Sequence, residues 1–365
     1  MTAEQTRLAE LRDEIDSLDR QIMTLISARA RCAQEVAEVK LAANPGQEVL
    51  FYRPEREAQV LRRIKVENPG PLAGEEMARL FREIMSACLA LEKPMHVAFL
   101  GPAGTFTQAA ALKHFGHSVN TSPLPAIDAV FREVESGAAQ YGVVPVENST
   151  EGMVNHTLDM FQRSPLKICG EVQLRIHHHL LTATGTDEKA ITRIYSHQQS
   201  LAQCRQWLDT HWAGVERIAV SSNAEAARRA AEEPGTAAIA GDMAMELYGL
   251  RALANCIEDR PDNTTRFLII GRELVNASGQ DKTSILVSMR NKPGALYHVL
   301  EPFHRRGISL TRIETRPSPS GTWAYVFYID FEGHVSDDQV DRVLKEIEAE
   351  AVELKLLGSY PVGVL

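Results

Sequence analysis

The sequence predicts a multidomain chain built from three kinds of unit: an all-α N-terminal unit, a two-lobed α/β unit and a C-terminal α+β unit. Its 365 residues suffice for two or three domains of about 100–200 residues each. The segment from Thr2 to Ala43 contains no glycine or proline, whereas strand-like and helix-like stretches alternate after Met95. From Thr283 to Ser359 the pattern is strand, helix, strand, strand, helix, strand, which forms an antiparallel sheet with both helices on one face. We therefore place the domain boundaries at residues 1–93, 95–275 and 282–361.

The composition argues against several broad classes of function. The chain has 39 Lys and Arg against 48 Asp and Glu, the opposite of the basic excess that binding to a nucleic-acid backbone requires. No apolar run approaches the roughly 18 to 20 residues that cross a bilayer, and the N-terminus lacks an apolar signal core. The five cysteines are widely spaced, which favours free thiols over disulfides or a zinc site. We expect a cytoplasmic protein without a nucleic-acid or membrane partner.

The first segment predicts one long helix with a coiled-coil-like seam. Its seam residues follow one another by alternating steps of four and three: Leu11, Ile15, Leu18, Ile22, Leu25, Arg29, Cys32, Val36 and Val39. At 1.5 Å per residue the helix is about 60 Å long, longer than a small domain is wide. Two shorter helices, opening at Pro54 and after Gly74, are too few to cover it, so we expect an intertwined homodimer or a higher homo-oligomer. Arg29 in the seam requires an anionic partner, because an unpaired buried guanidinium is strongly unfavourable.

The helical unit resembles the all-helical chorismate mutases. The resemblance lies in Leu-Arg-x-x-Ile-x-x-Leu-Asp from Leu11 to Asp19, in Arg29, in Val39-Lys40 and in Pro54-Glu55-Arg56-Glu57. It implies a domain-swapped dimer that holds chorismate with Arg29, Lys40 and Arg56, with Arg12 reaching in from the other chain and Glu57 at the substrate hydroxyl. The reaction is a Claisen rearrangement, which needs the substrate held in a chair-like conformer and hydrogen-bond donors at the ether oxygen. Lys40 is one such donor.

Three positions depart from the pattern of that family. Cys88 stands in place of a serine, Arg53 in place of an aspartate, and Glu92 in place of a glutamine that donates to the ether oxygen. A carboxyl group donates a hydrogen bond only when it is protonated, so Glu92 predicts a mutase whose activity rises as the pH falls. Burial raises the pKa of such a group and neighbouring cations lower it, and the sequence leaves the sign of the shift open. One alternative is a solvated Glu92, and another is a helical unit that serves only as a dimerisation arm.

Three motifs of the α/β unit place polar side chains at strand ends, where open α/β sheets bind ligands. They are Val-Pro-Val-Glu-Asn-Ser-Thr-Glu-Gly from Val144 to Gly152, Ser-His-Gln-Gln from Ser196 with Gln203 downstream, and Asn-Thr-Thr-Arg-Phe from Asn263 to Phe267. Before them, a Gly-Pro-Ala-Gly-Thr turn ending at Thr105 presents backbone amides at a helix N-terminus, which suits an anion.

In this order the motifs resemble prephenate dehydratase, which implies a two-lobed fold similar to periplasmic binding proteins. The resemblance marks Thr265 as the proton donor to the departing hydroxyl group. Because a threonine hydroxyl is a weak acid, it needs a relay, for which Glu147 and His197 both remain open. The resemblance also implies the following substrate-binding residues: Thr105, Asn148, Ser149, Ser196, His197, Gln203, Arg266, which meets a carboxylate, and Phe267.

No motif indicates a metal or a cofactor. The run His177-His178-His179 places neighbouring side chains on opposite faces of a strand, so the three do not converge on one ion and structural roles are favoured. The chain also lacks G-x-G-x-x-G, which disfavours a nicotinamide dehydrogenase.

The C-terminal unit resembles an ACT domain. Two motifs carry the resemblance: Asn291-Lys292-Pro293-Gly294-Ala295-Leu296, and Glu314-Thr315-Arg316-Pro317, which has threonine where serine is usual. It implies that Asn291, the segment Gly294 to Leu296, and Glu314 to Pro317 bind an amino acid at a dimer interface. A purely structural ferredoxin-like cap is the alternative.

Together the three resemblances predict a bifunctional enzyme that converts chorismate through prephenate to phenylpyruvate. The pairing of an ACT domain with a dehydratase implies feedback inhibition by phenylalanine. Two rivals remain: a dehydratase with an inactive helical arm, and a non-enzymatic amino-acid sensor.

Overall fold

The structure is a computed structural model that describes residues 2–46, 49–290, 292–317 and 325–365. Its N-terminal unit consists of helices α1 (Ala3–Ala43), α2 (Pro54–Glu67) and α3 (Gly74–Glu92). A capping box opens α1, because Thr2 Oγ1 accepts from the Gln5 backbone N–H while Gln5 Oε1 accepts from the Thr2 N–H. The predicted seam of α1 is largely exposed within one chain; Leu25, for example, is 69% exposed.

The first lobe of the α/β unit is a six-stranded sheet. Its strands are β1 (His96–Leu100), β2 (Asn120–Leu124), β3 (Tyr141–Asn148), β4 (Gly152–Met153), β5 (Lys167–Arg175) and β11 (Thr264–Gly271). The spatial order is β2-β1-β3-β11-β5, and β4 pairs with β3. The helices of this lobe are α4 (Phe106–Phe115), α5 (Ile127–Glu135) and α6 (Asn155–Arg163).

The second lobe is a five-stranded sheet in the order β10-β6-β9-β7-β8. Its strands are β6 (His179–Ala183), β7 (Arg193–His197), β8 (Glu216–Val220), β9 (Thr236–Ala240) and β10 (Leu250–Ala254). Its helices are α7 (Gln198–Gln203), α8 (Arg205–His211), α9 (Asn223–Glu232) and α10 (Asp242–Tyr248). The chain crosses between the lobes twice, through residues 176–178 and 255–263, and a cleft separates the two sheets.

The C-terminal unit has the predicted order of elements. It contains β12 (Asp281–Met289), α11 (Ala295–Arg305), β13 (Leu310–Pro317), β14 (Tyr325–Glu332), α12 (Asp338–Glu350) and β15 (Glu353–Pro361). The strands form an antiparallel sheet in the order β13-β14-β12-β15.

Both faces of this sheet are covered, as the alternation of side chains along β12 shows. Ile285 and Val287 pack against α11 and α12, whereas Leu286 joins the core of the first α/β lobe together with Tyr328 and Tyr360. The C-terminal unit therefore shares a core with the first lobe. In the part of the chain that the structure describes, no helix combines the length and the apolar character that spanning a membrane requires.

Candidate active sites

The cleft between the two α/β lobes encloses about 860 Å³, open to solvent, and is lined by polar side chains from both lobes. Thr105 precedes α4, Asn148 ends β3, and Thr265 lies near the start of β11. His197 and Gln203 contribute from the second lobe, at the two ends of α7. The structure thus brings together five of the residues expected to line a substrate cleft.

The hydrogen bonds of Asn148 fix the direction in which the Thr265 hydroxyl donates. The Asn148 side-chain oxygen accepts from the backbone N–H groups of Thr150 and Glu151, at 2.9 and 3.0 Å. Its amide nitrogen therefore faces Thr265 and donates to Thr265 Oγ1 at 2.8 Å. A hydroxyl carries a single proton, and with its oxygen accepting from Asn148 that proton is left for an acceptor in the cleft.

A second chain of hydrogen bonds links this pair to the opposite wall. Asn263 accepts from Asn148 at 3.0 Å and donates to Gln203 Oε1 at 3.1 Å. The same Gln203 oxygen lies 3.0 Å from His178 Nε2, so His178 is the donor in that contact. Burial lowers the pKa of His178, more than its contacts with Gln203 and Glu258 raise it. The imidazole is therefore neutral at physiological pH.

His178 lines the cleft although the sequence analysis gave it no substrate-binding role. The three histidines of the run take three separate partners. His177 pairs with Glu258 at 2.8 Å and His179 with Asp242 at 3.2 Å, so only His178 reaches the cleft. His177, Glu258 and Cys256 place ligand atoms within 4.8 Å of one another, but the Glu258 carboxylate already accepts from His177 and from the backbone N–H of His178.

Two predicted serines do not line the cleft. Ser196 is fully buried, and its hydroxyl oxygen lies 2.8 Å from the Ile239 carbonyl oxygen and 2.9 Å from Asn223 Oδ1. Ser149 Oγ accepts from the backbone N–H of Thr264 at 3.0 Å, at the exposed end of β3. Burial keeps the Ser196 hydroxyl from contacting a ligand in the cleft, whereas a substrate contact of the exposed Ser149 stays a prediction.

Two further expectations fail because of strand alternation. Thr265 and Asn148 face the cleft, so their neighbours Arg266 and Glu147, which pair across β11 and β3, face the opposite way. Arg266 forms an ion pair with Asp330 at 2.7 Å, and Glu147 pairs with Arg312 at 3.1 Å, both in the C-terminal unit. Arg266 is therefore not a carboxylate ligand in the cleft, and Glu147 is not a relay to Thr265.

Phe267 also lies outside the cleft. It is 2% exposed and packs in the core of the first lobe with Phe99 and Val143. An apolar ring on a central strand is favoured in such a core, and this accounts for its place in the motif.

The helical unit brings together part of the predicted mutase site. Arg29, Lys40 and Glu92 are close enough to interact electrostatically, and all three are half-buried. Burial raises the pKa of Glu92, and the opposing effects of Lys40 and Arg29 are smaller. Cys88 is buried one turn before Glu92 on α3, whereas the side chains of Arg12 and Arg56 are exposed in the single chain.

Glu57 occupies a different environment from the one predicted. It forms an ion pair with Arg82 at 3.2 Å and lies 3.4 Å from the hydroxyl of Tyr52, which also contacts His114 of the α/β unit at 3.2 Å. Burial raises the pKa of Glu57 against the opposing effect of Arg82. Glu57 therefore takes part in the contact between the helical and α/β units, and its role at a substrate hydroxyl stays a prediction.

The predicted amino-acid site of the C-terminal unit divides between two faces. Thr315 pairs with Phe327 on the helix-covered face, whereas Glu314 and Arg316 pair with Tyr328 and Val326 on the side that faces the α/β unit. Arg316 forms an ion pair with Asp159 of α6 at 3.0 Å. The expectation that Glu314 and Arg316 contact an amino acid beside Thr315 is therefore wrong, since alternation along the strand turns them away.

The remaining residues of that predicted site lie at one end of the unit. Gly294 has φ of +79°, a conformation that favours glycine, and it begins α11 directly before Ala295 and Leu296. Pro317 ends β13 on its exposed side. Asn291 lies outside the described residues.

The fold and the cleft together define a fusion protein, in which a helical unit precedes a two-lobed α/β unit and an ACT-like sheet. Three family models match in the same order: "Chorismate mutase type II" over residues 11–93, "Prephenate dehydratase" over residues 97–274 and "ACT domain" over residues 283–349.

Curated relatives match over the whole length of the chain. A bifunctional chorismate mutase/prephenate dehydratase of Stutzerimonas stutzeri is 66% identical, and one of Pseudomonas aeruginosa is 64% identical, each over 100% of both chains. The chain belongs to the bifunctional chorismate mutase/prephenate dehydratase family. It is an enzyme with both activities, so the prediction of a bifunctional enzyme is confirmed and the two rivals are set aside.

Solved structures resemble the α/β and C-terminal units. The prephenate dehydratase of Arthrobacter aurescens in complex with L-Phe is 34% identical, with a TM-score of 0.68, covering 73% of this chain and 90% of that one. The prephenate dehydratase of Staphylococcus aureus is 27% identical, with a TM-score of 0.65, covering 73% and 100%.

Proposed function

We propose that prephenate is dehydrated in the cleft between the α/β lobes with Thr265 as the proton donor, and that chorismate rearranges beside Arg29, Lys40 and Glu92. The observation that carries the first assignment is the hydrogen bond from Asn148 to Thr265 Oγ1, which leaves the hydroxyl proton for the cleft. Thr105, His197 and Gln203 complete the lining that a substrate with two carboxylates and a hydroxyl meets.

The dehydration step needs little more than assistance to the leaving group. The bond from the ring to its carboxylate breaks and releases CO₂, and the electron pair moves into the ring as it becomes aromatic. The bond from the ring to the hydroxyl oxygen breaks on the other side, and the departing oxygen takes a proton to leave as water. Thr265 donates to that oxygen, and the amide of Asn148 stabilises the alkoxide character that develops on Thr265.

The proton that the Thr265 hydroxyl gives up is replaced by a group in the cleft. Of the two candidates for this proton relay, Glu147 faces the C-terminal unit and is excluded. We therefore assign the relay to His197. His197 begins α7, where its Nδ1 accepts from the Gln199 backbone N–H at 3.4 Å. Its ring lines the same cleft as Thr265.

The proposed role of Thr265 is tested by two replacements that separate shape from chemistry. Thr265→Val keeps the shape and removes the hydroxyl, so it should lower the kcat for prephenate by at least about 100-fold, as loss of a general acid does. Thr265→Ser keeps the hydroxyl and should retain most of the activity. Mutase activity of the same preparations serves as the control. A valine variant within about threefold of the parent enzyme would show that Thr265 is not the donor.

In the helical unit, the proposed mutase site uses charge to hold the substrate. Arg29 and Lys40 supply cations for its carboxylates, Lys40 and protonated Glu92 donate to the ether oxygen, and Cys88 packs beside Glu92. Arg12 and Arg56 are exposed in the single chain. We propose that both also bind the substrate carboxylates, and that Arg12 is supplied by the other chain of a dimer.

That dimer is supported by the exposed seam of α1. Apolar residues at this spacing form a continuous stripe, and packing two such helices against each other buries it. We therefore propose a homodimer through α1, with the domain-swapped architecture of the helical chorismate mutases. The two-lobed α/β unit is likewise proposed to follow the fold of periplasmic binding proteins, and the C-terminal sheet the ferredoxin-like plan.

Phenylalanine is the proposed regulator of the dehydratase. The support is a homologous prephenate dehydratase of Arthrobacter aurescens whose structure contains L-Phe, together with the ACT match. In this chain we assign the ligand to the turn from Gly294 to Leu296 and to the helix-covered side of β13 at Thr315, next to Pro317.

A further inference from the structure

The strands that carry Asn148 and Thr265 have charged residues on their other face. Glu147 precedes Asn148 on β3, and Arg266 follows Thr265 on β11. Both charged side chains reach the C-terminal unit, where they pair with Arg312 and Asp330. The wall of the cleft is therefore a single layer of backbone between the reacting groups and the C-terminal unit.

Arg266 is the centre of a buried hydrogen-bond network. Its Nε donates to Glu171 at 2.8 Å, one terminal nitrogen donates to Asp330 at 2.7 Å, and the other donates to the Tyr360 hydroxyl at 3.0 Å. Ser284 links Asp330 to Tyr360, with separations of 2.6 and 2.8 Å. One guanidinium thus joins β5 and β11 of the α/β unit to β12, β14 and β15 of the C-terminal unit.

The charges of this network balance. Lys282 Nζ pairs with the second oxygen of Glu171 at 2.7 Å, so two cations face two carboxylates. The Arg266 side chain is 10% exposed and that of Glu171 is 3% exposed. Removing one partner from such a buried set leaves a charge without compensation, which the structure accommodates only by moving.

Arg266 also lies opposite a β-bulge, which Val146 forms in β3: Glu147 pairs with Arg266, and Pro145 pairs with Phe267. The ladder between β11 and β3 shifts register between Arg266 and Phe267, opposite Pro145, which has no N–H to donate. A bulge of this kind re-aims the side chains next to it. Thr265 and Arg266 themselves pair in regular register with β3 and β5, so the bulge alters the course of β3 beside the site while the bonds of Arg266 hold the start of β11.

We propose that Arg266 is a positioning residue for the dehydration step. Its bonds to Asp330 and Tyr360 hold the start of β11 so that the Thr265 hydroxyl stays aligned with Asn148 and the substrate. The C-terminal unit is then a structural part of the dehydratase site. This inference rests on the proposed role of Thr265, and its test is made on an enzyme whose parent form dehydrates prephenate.

The test replaces Asp330 by asparagine, which keeps the shape and removes the charge facing Arg266. We expect the single-turnover rate constant for prephenate to fall by at least about tenfold, since small misplacements of reacting groups have effects of up to about 100-fold. The KM for prephenate should change by less than about twofold, because Arg266 does not contact substrate. A single-turnover rate constant does not depend on the fraction of folded enzyme, so general destabilisation does not reproduce this result.

Asp159→Asn is the matched control. It removes a carboxylate from another ion pair across the same interface, with Arg316, but α6 carries neither Asn148 nor Thr265. We expect its rate constant to match that of the parent enzyme. Arg266→Gln combined with Asp330→Asn should be no slower than Arg266→Gln alone, because both changes break the same contact.

Two results would overturn the proposal. One is an Asp330→Asn rate constant no lower than that of Asp159→Asn, and the other is a rise in KM without a fall in the rate constant. If Asp330→Asn does not fold, Tyr360→Phe takes its place: it removes one bond to Arg266, and a rate constant equal to that of the parent enzyme would overturn the proposal. A parent enzyme that leaves prephenate unchanged, or full activity in Thr265→Val, would instead refute the proposed function.

Discussion

At the scale of single residues, Glu92 is the carboxyl group from which we predict the pH dependence of the mutase reaction. It ends α3 half-buried, close to Arg29 and Lys40, and burial raises its pKa more than those cations lower it. The protonated acid therefore persists to higher pH than it does for an exposed glutamate. Because only the protonated acid donates a hydrogen bond, the proposed mutase site would be complete on the acidic side of that pKa.

We predict that mutase activity is highest at acidic pH and falls as the pH rises through the raised pKa of Glu92. Well above that pKa the rate should drop by about tenfold per pH unit, because the fraction of protonated acid drops by that factor. Glu92→Gln donates at every pH and should flatten the alkaline side of the profile. The measurement is the pH dependence of kcat/KM for chorismate. An identical profile for both enzymes would contradict the assignment.

At the cleft, the sequence predicted which strands and helices carry the site but not which way each side chain turns. The Thr-Arg-Phe motif was located correctly, and Thr265 faces the cleft. Arg266 instead faces the C-terminal unit, where it pairs with Asp330, and Phe267 is buried in the core of the first lobe. Such partners are distant in the chain, and a local motif carries no information about them.

His178 illustrates the converse case. A run of three histidines offers no local reason to choose the middle one. His177 and His178 lie in the first crossover between the lobes and only His179 belongs to a strand, so alternation along a strand does not apply to the run. The path of the crossover in the folded chain decides which histidine reaches the cleft.

At the scale of elements, α1 has an apolar surface that the single chain leaves exposed. Its 41 residues project an apolar stripe that includes Ile22, which is 53% exposed, and Leu25. Burying one leucine side chain contributes about 1.5–3 kcal/mol, so several stripe positions together support a stable association.

Leu25→Glu should therefore weaken the α1 dimer. Placing a carboxylate in the stripe should raise the dissociation constant by at least about tenfold, or about 1.4 kcal/mol. It should also lower mutase activity, because we propose that Arg12 is supplied by the other chain. Dehydratase activity should remain. Gln34→Glu adds the same charge on an exposed position outside the stripe and serves as the control. Analytical ultracentrifugation gives the result, and an unchanged dissociation constant for Leu25→Glu would argue against dimerisation through α1.

The C-terminal unit has the order of strands and helices that its sequence pattern predicts. In the second lobe, α7 and α8 are separate helices that meet at Cys204. Strand β5 carries Glu171, a residue type that is seldom buried unless it is paired. That carboxylate is buried only because Arg266 and Lys282 meet it across the interface.

At the scale of the whole molecule, the helical unit is tied to the C-terminal segments. Arg62 on α2 donates to Ser278 Oγ at 3.0 Å and to the carbonyl oxygens of Gln280 and Val362, at 2.8 and 3.2 Å. Lys65 on the same helix donates to the Val364 carbonyl oxygen at 3.3 Å. The two activities therefore belong to units that are in direct contact, and both contact the C-terminal unit.

The measurement that tests this account most directly follows the fate of chorismate given alone to the purified chain at mildly acidic pH. Chorismate, prephenate and phenylpyruvate are quantified over time, with and without phenylalanine. We predict that chorismate is consumed and phenylpyruvate accumulates, and that phenylalanine shifts the product toward prephenate because the dehydratase is inhibited. Chorismate that remains unchanged while added prephenate is dehydrated would contradict the mutase assignment, and phenylpyruvate formation unaffected by phenylalanine would contradict the proposed regulation.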